Sequence, residues 1–106
     1  MSTANNNHLS DELMNAIQMI GDTHVLCIVS NLGKKPMRFN EIQRAVNGIN
    51  PTTLTDRLKR LEKEQIVTRA EETVDKVSVV YTLTDKGRGV LPIIKEIGIF
   101  ADKFLK

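Results

Sequence analysis

The sequence contains no tryptophan, one cysteine and three prolines, and only 4% of its 106 residues are aromatic. The single cysteine, Cys27, excludes an internal disulfide and fits a reducing cytoplasm. No apolar stretch approaches the roughly 20 residues that a membrane-spanning helix needs. The first ten residues, MSTANNNHLS, lack Lys, Arg and any apolar run, so they are unlike a signal peptide. We therefore expect a cytoplasmic protein without a membrane partner.

Groups that could support catalysis or bind a metal are also scarce. His24 and Cys27 share a helix face at i,i+3, but two ligands are too few for a structural zinc site, and the other histidine is His8 near the N-terminus. A free cysteine is usually a small buried hydrophobe, and a Cys–His nucleophile would need a third, orienting group. The TDKGRG run lacks the Lys-Ser/Thr of a phosphate-binding loop. We expect no enzyme activity, no metal and no cofactor.

The composition is that of one small globular domain, with 41% hydrophobic and 26% charged residues. We predict a flexible tail over residues 1–9 and a single domain over residues 10–106. Charge is unevenly distributed: residues 1–33 carry −3, residues 34–69 carry nine bases against four acids, or +5, and residues 70–106 carry six of each. The basic middle segment suits a polyanion, although charge counting fits a solvated surface equally well.

Apolar spacing predicts two helices in the N-terminal third. The first begins at an N-cap, Ser10, and stops at Gly21; its apolar positions are Leu13, Met14, Ile17 and Ile20. The second begins near Asp22 or Thr23 and ends at a C-cap, Gly33. It is apolar on nearly every side at its centre, which predicts burial.

A helix, a glycine turn and a second helix follow the extended connector KKPMRF. Asn40 is the predicted N-cap of the short helix EIQRAV, and Gly48 in the NGIN turn can adopt positive φ. Asn50 and Pro51 then form a strong helix start. The predicted inward positions of the short helix are Ile42, Ala45 and Val46. This is the outline of a helix-turn-helix.

The period changes after Gln65. IVTRAEE and VSVVYTLT are rich in β-branched residues and flank a polar TVDK loop, which predicts a two-stranded hairpin. One face of its second strand contains Val77, Val79, Tyr81 and Leu83. Thr84 opens a last helix with Asp85 in its first turn, and Pro92 predicts a kink or restart within it. The fold class is α+β: a mostly helical winged helix-turn-helix with a two-stranded β-hairpin wing and terminal dimerisation helices.

The last helix is more apolar than the core of one small domain requires, which predicts a homodimer formed with the N-terminal helix. The alternative is a monomer in which this helix completes the core. The predicted interface residues are Leu13, Ile17, Ile94, Ile97, Phe100, Ala101 and Phe104.

The helix that starts at Pro51 has no acid in its first turn, where an ordinary surface helix carries one. Its inward residues are Leu54, Leu58 and Leu61, so hydroxyls and cations face outward. Intrahelical pairs, Asp56–Arg60 and Lys59–Glu62, explain part of this pattern in a merely solvated helix. The hairpin and the flanking bases Arg38, Arg44 and Arg69 favour DNA binding instead. The predicted DNA-binding residues are Arg38, Thr52, Thr53, Thr55, Asp56, Arg57, Lys59, Arg60, Lys63 and, in the wing loop, Lys76.

The runs RFNEIQRAVNGINPTTLTDRLKRLEKEQIV and YTLTDKGRGVLP closely resemble HxlR-type, MarR-like winged-helix transcription regulators of prokaryotes, over nearly all of residues 13–104. The resemblance implies a homodimer, joined by its terminal helices, that binds operator DNA as a repressor or activator. It places Thr52, Thr53 and Arg57 in the DNA-reading helix and Asp75-Lys76 in the wing.

Two departures from that family pattern are visible. Asp22-Thr23-His24 replaces a Gly-Lys-Trp-like segment, so a contact made by that Trp is absent or replaced. Several members sense oxidants through a Cys before the first helix, where this chain has Asn5, Asn6, Asn7 and His8.

We expect a sequence-specific regulator that binds double-stranded operator DNA as a homodimer. The alternative is a winged-helix protein–protein interaction module without DNA readout. An RNA-binding module is weaker still, because most of the few aromatics are expected to be buried and leave no stacking platform. A small-molecule effector between the first two helices and the dimer helix stays open, and the sequence does not identify it.

Overall fold

The computed structural model describes residues 9–73 and 77–106, and the predicted tail lies outside them except for Leu9. The elements in chain order are α1 (Asp11–Ile20), α2 (Thr23–Leu32), β1 (Met37–Arg38), α3 (Phe39–Ala45), α4 (Pro51–Lys63), β2 (Val67–Thr73), β3 (Val77–Leu83), α5 (Asp85–Arg88) and α6 (Leu91–Phe104). This order confirms the predicted helix-turn-helix followed by a hairpin.

The first two helices start and stop as predicted. The Ser10 hydroxyl accepts the backbone N–H of Leu13 at 3.1 Å and caps α1, and Gly21 ends it. α2 ends at Gly33, also as predicted. The two helices meet at a bend of 77°. Within the described residues, no single helix is long and apolar enough to cross a membrane, and only this bent pair reaches that length and hydropathy when taken together.

Helix α3 begins earlier than predicted. Its N-cap is Arg38, not Asn40, because the Glu41 carboxylate accepts the backbone N–H of Arg38 at 2.8 Å and allows Phe39 and Asn40 to join the helix. That hydrogen bond also holds the pKa of Glu41 below its ordinary value. The predicted inward position Ala45 is wrong, since it is exposed at the last residue of the short helix.

The sheet has three strands where the sequence predicts two. The strand order is β1-β3-β2, antiparallel throughout, with Met37 opposite Tyr81 and Val67 opposite Leu83. The extra strand, β1, lies in the expected extended connector and has only two residues. A strand of that length shows no period-2 pattern in the sequence.

One apolar core joins these elements. Its members are Val25, Ile28, Val29, Leu32, Ile42, Val46, Ile49, Leu54, Leu58, Leu61, Ile66, Val67, Tyr81, Leu83 and Val90. α1 and α6 contain none of these residues, and neither helix buries any residue. The core therefore lies under α2, α3, α4 and the sheet.

A short clamp fixes the corner between α4 and β2. The Thr84 hydroxyl donates to the carbonyl of Gln65 at 2.7 Å, and Lys86 Nζ donates to the carbonyl of Glu64 at 2.8 Å. Gly87 is buried against Ile66 at the same corner. The clamp ends at Gly89, and α6 restarts at Leu91 with proline in its first turn, so the predicted restart near Pro92 is confirmed.

Candidate nucleic-acid interface

Helix α4 is built from local signals. The Asn50 side-chain oxygen accepts the Thr53 N–H at 2.8 Å, and Pro51 fixes the first helical φ. Leu54, Leu58 and Leu61 are buried and anchor the helix to the core. Its first turn contains no acidic residue, so the positive end of the helix dipole is not neutralised there.

Four of the predicted DNA-binding residues form one exposed face, which we call the outer face of α4: Thr52, Asp56, Lys59 and Lys63. A hydroxyl stands at its start and cations stand toward its end. Since the buried leucines lie on the opposite side of the helix, this face is free to meet a large partner.

The flank of α4 nearest the hairpin forms a cleft of about 400 Å³ lined by Phe39, Thr55, Lys59, Glu62, Arg69 and Tyr81. Arg69 lies two residues after buried Val67 on β2 and opposite Tyr81 on β3, so its side chain is on the core side of the sheet. Arg69 thus joins Lys59 at the cleft. Arg69 is not among the predicted DNA-binding residues. The sequence signal that could have identified it is the alternation of side chains along β2, which puts Arg69 on the same face of the strand as Val67.

The other flank of α4 faces α1. Arg60 and Glu64 line an open cleft of about 500 Å³ with Asn15, Ala16, Gln18 and Met19. The structure therefore separates Arg60 from Lys59, which lies toward the hairpin. The two intrahelical ion pairs weighed in the sequence are not formed: among the described residues, Asp56 makes no ion pair with Arg60, nor Lys59 with Glu62.

Arg57 is held by a partner 35 positions away in the sequence. Its Nε donates to Asp22 Oδ2 at 3.0 Å, with both side chains more than two-thirds buried. Burial opposes ionisation of Asp22, but hydrogen bonds from the Val25 N–H and the Arg57 guanidinium outweigh it and lower the pKa of Asp22. The predicted DNA-binding residue Arg57 is thus also part of the scaffold.

Arg38 is held on the sheet. Its Nε donates to the Ser78 hydroxyl at 3.2 Å, and its Nη2 lies 3.6 Å from the Glu72 carboxylate. Because both partners are on the hairpin strands, the Arg38 side chain lies beside the hairpin and not on α4. It is about half exposed, 53%. Lys76, the predicted wing contact, lies outside the described residues.

The predicted dimer residues form a second exposed surface, which is apolar. Leu13 and Ile17 on α1, and Ile97, Phe100 and Phe104 on α6, are exposed; Phe100 and Phe104 are 54% and 62% accessible. Ile94 and Ala101 are half-buried. Phe100 and Phe104 also stack with ring centroids 5.2 Å apart. Large exposed apolar groups on two helices with no buried residue are typical of an interface.

Cys27 is half-buried rather than fully buried, and it packs against the core. With His24, Ser30, Asn31, Val46 and Ile94 it lines an open cleft of about 520 Å³ between α2, the end of α3 and α6. This is the region where the sequence leaves room for an effector. No group of three or more His, Cys, Asp or Glu that could hold a metal occurs in the described part of the chain.

A helix-turn-helix that leads directly into an antiparallel hairpin defines a winged helix-turn-helix protein. The chain belongs to the HxlR-like helix-turn-helix family, whose model matches residues 19–106. The resemblance and the fold class stated from the sequence are therefore confirmed.

Individual relatives agree with this assignment. The HTH-type transcriptional regulator YodB of Bacillus subtilis is 33% identical over 98 residues, covering 92% of this chain and 88% of YodB. A second B. subtilis HTH-type regulator, YvaP, is 32% identical over 101 residues, covering 95% and 94%. The structure of reduced YodB superposes with a TM-score of 0.82 at 32% identity, covering 92% of this chain and 95% of that one. A MarR-family regulator from Porphyromonas gingivalis W83 also gives 0.82, at 30% identity and with 92% and 98% covered. These relatives are transcriptional regulators and not enzymes, so the expected class is confirmed.

Proposed function

We propose that this chain is a cytoplasmic transcriptional regulator that binds specific sequences in double-stranded DNA as a homodimer. The observation that carries the proposal is the outer face of α4, where a hydroxyl precedes cations on a helix whose first turn carries no acid. Recognition helices of this class enter the major groove N-terminus first. A carboxylate in that turn would repel the phosphates on either side of the groove.

The residues of α4 and β2 that would meet the DNA have different chemical roles in this proposal. Thr52, Thr53 and Asp56 face base edges, where a hydroxyl suits several bases and a carboxylate accepts from cytosine. Lys59 and Lys63 bind phosphates or guanines. Arg69 extends the cationic surface from α4 onto β2 and binds the phosphate backbone beside the groove.

The homodimer rests on the apolar surface of α1 and α6. Two copies that bury Leu13, Ile17, Ile97, Phe100 and Phe104 would shield groups that the single chain leaves in water. A two-fold axis there repeats α4 in the second copy. Because successive major grooves on one side of a duplex lie about 34 Å apart, the two α4 helices should have that separation.

Selection of bound sites from random duplex DNA tests the proposal, followed by affinity measurements over a range of salt concentrations. We expect a pseudo-palindromic site and an affinity that falls steeply with salt. Lys59→Ala, Lys63→Ala and Arg69→Gln should each weaken binding on all sequences and reduce the log–log salt slope by about one per lost phosphate contact. Lys95→Ala, on exposed α6, is the matched control and should leave the slope unchanged.

The absent first-turn acid has its own test. Thr52→Glu should abolish DNA binding while the fold holds, because Thr52 is exposed and its side chain anchors nothing in the core. Thr82→Glu makes the same change on the outer side of β3, between Tyr81 and Leu83, and should bind normally. If the wild-type chain binds no duplex at any salt concentration, the winged helix serves protein–protein assembly instead.

A further inference from the structure

The carboxylate of Asp22 joins two helices that are distant in sequence. Its Oδ1 accepts the backbone N–H of Val25 at 3.1 Å and caps α2, while its Oδ2 accepts the Nε–H of Arg57 at 3.0 Å. One side chain therefore ties the start of α2 to the middle of α4. Asp22 also follows Gly21, the C-cap of α1. The Asp22–Arg57 hydrogen bond therefore lies beside the C-terminal end of α1, one of the two helices of the proposed dimer interface.

Arg57 keeps donors for a second partner. A guanidinium carries five N–H groups in a planar fork, of which the Asp22 bond uses the one on Nε. In the part of the chain that the structure describes, the two terminal amino groups donate to no other side chain. The side chain is 30% exposed, so these groups are partly accessible to solvent.

Arg57 lies on the α1-facing flank of α4, between the core-facing leucines and the outer face. At about 100° per residue, Arg57 lies about 60° from core-facing Leu54 and about 100° from Asp56 on the outer face. The sides of a helix in the major groove face the phosphates that border the groove. A guanidinium fixed on that flank suits a phosphate oxygen, which charge-assisted N–H groups bind well.

We propose that Asp22 is a positioning residue for DNA binding: it holds Arg57 in one side-chain conformation, with the terminal amino groups presented to a phosphate at the groove edge. The inference rests on the proposed DNA-binding function and adds a residue that contacts no DNA itself. A free arginine must lose its rotamer freedom on binding. Here the fold has already fixed the side chain.

Removal of the Asp22 charge separates this role from general electrostatics. Asp22→Asn makes the chain more positive, and a purely electrostatic effect would strengthen binding to a polyanion. Loss of a positioning contact weakens binding instead, by about two- to tenfold, the range expected for ordering one long side chain. The two explanations therefore predict changes of opposite sign.

The experiment measures affinity for the selected duplex at one salt concentration for wild type, Asp22→Asn, Arg57→Gln and the double variant. Asparagine retains the α2 cap, so Asp22→Asn should stay folded; Asp22→Ser, another capping residue, repeats the measurement, and thermal unfolding verifies each variant. Asp85→Asn, exposed on α5 at the corner after α4, makes the same charge change away from Arg57, whose ion-pair partner is Asp22, and should not weaken binding. We expect the double variant to bind as Arg57→Gln does, because Asp22 acts through Arg57.

Binding by Asp22→Asn that equals or exceeds that of wild type overturns the inference alone. So does a double variant whose loss is the product of the two single losses. Wild-type chain that binds no duplex overturns the proposed function, and the inference falls with it.

Discussion

At the scale of the residue, Gln65 has a backbone conformation that its side chain disfavours. Its φ is 62°, the left-handed region, at the end of α4. A non-glycine residue in this conformation destabilises the folded state by about 1–2 kcal/mol. Glycine removes this strain, but its greater backbone freedom stabilises the unfolded chain by about 0.4–1 kcal/mol. Gln65→Gly should therefore stabilise the protein by about 0.5 kcal/mol, measured by urea unfolding.

Gln43→Gly is the control for that prediction, since Gln43 lies inside α3. There glycine should destabilise the protein by about 0.5–1 kcal/mol. Equal losses at both positions would show that the conformation of Gln65 carries no strain.

Asp22 predicts a pH dependence of stability. Its folded pKa lies below the ordinary value of 3.8, so its ionised form stabilises the fold above about pH 4, and this contribution is lost as pH falls through the lowered pKa. The free-energy difference between wild type and Asp22→Asn should be constant near about pH 6 and shrink toward about pH 3, measured by urea unfolding. Parallel pH curves for the two chains would contradict this assignment.

At the scale of the element, the clamp formed by α5 depends on a close approach at Gly87. A Cβ there would overlap the carbonyl oxygen of Ile66 and come within 2.7 Å of Leu83 Cδ1. Gly87→Ala should destabilise the protein by about 1–3 kcal/mol because the α4–β2 corner must shift. Thermal unfolding measures the loss.

Gly98 on α6 offers the matched control. A Cβ at that position meets nothing within 4 Å, so Gly98→Ala should preserve stability or raise it by up to about 1 kcal/mol through helix propensity. Similar losses from both substitutions would contradict the close-approach explanation.

The elements that sequence predicts well are those whose signals are local. Helix α4 is predictable because a cap, a proline and three spaced leucines all lie within it. Strand β1 is not, because two residues show no period and pair only with a strand about 40 residues later. The candidate site is likewise predictable only where its signals are local. Helical periodicity identifies the outer face of α4, whereas the Asp22–Arg57 hydrogen bond joins residues that no local pattern connects.

At the scale of the whole molecule, the chain is elongated. Its extents are 57 × 33 × 25 Å and its radius of gyration is 16.1 Å, against about 13 Å for a compact chain of this size. α1 and α6 pack against the core only through partly buried residues, Met19, Ile20, Leu91 and Ile94, and a single chain leaves large apolar side chains of both helices exposed. This shape supports the proposed homodimer.

A double substitution tests that association. Ile97→Glu with Phe100→Glu places two charges on the apolar surface and should convert the dimer to a monomer in sedimentation, while the separate core keeps the chain folded. Ile99→Glu is the control: Ile99 is 47% exposed but lies about 200° around α6 from Ile97, so the dimer should persist. A wild-type monomer at micromolar concentration would contradict the proposed interface.

The start of α4 has a consequence for hydrogen exchange. Pro51 has no amide proton, the Thr53 N–H bonds the Asn50 side chain, and the Leu54 N–H bonds the Asn50 carbonyl. Among the described residues, the Thr52 amide is left as the one first-turn N–H without an acceptor. Its proton should exchange with solvent at nearly the rate of an unstructured peptide, and a bound phosphate or base would slow it. A single backbone proton thus reports whether the end of this helix is occupied.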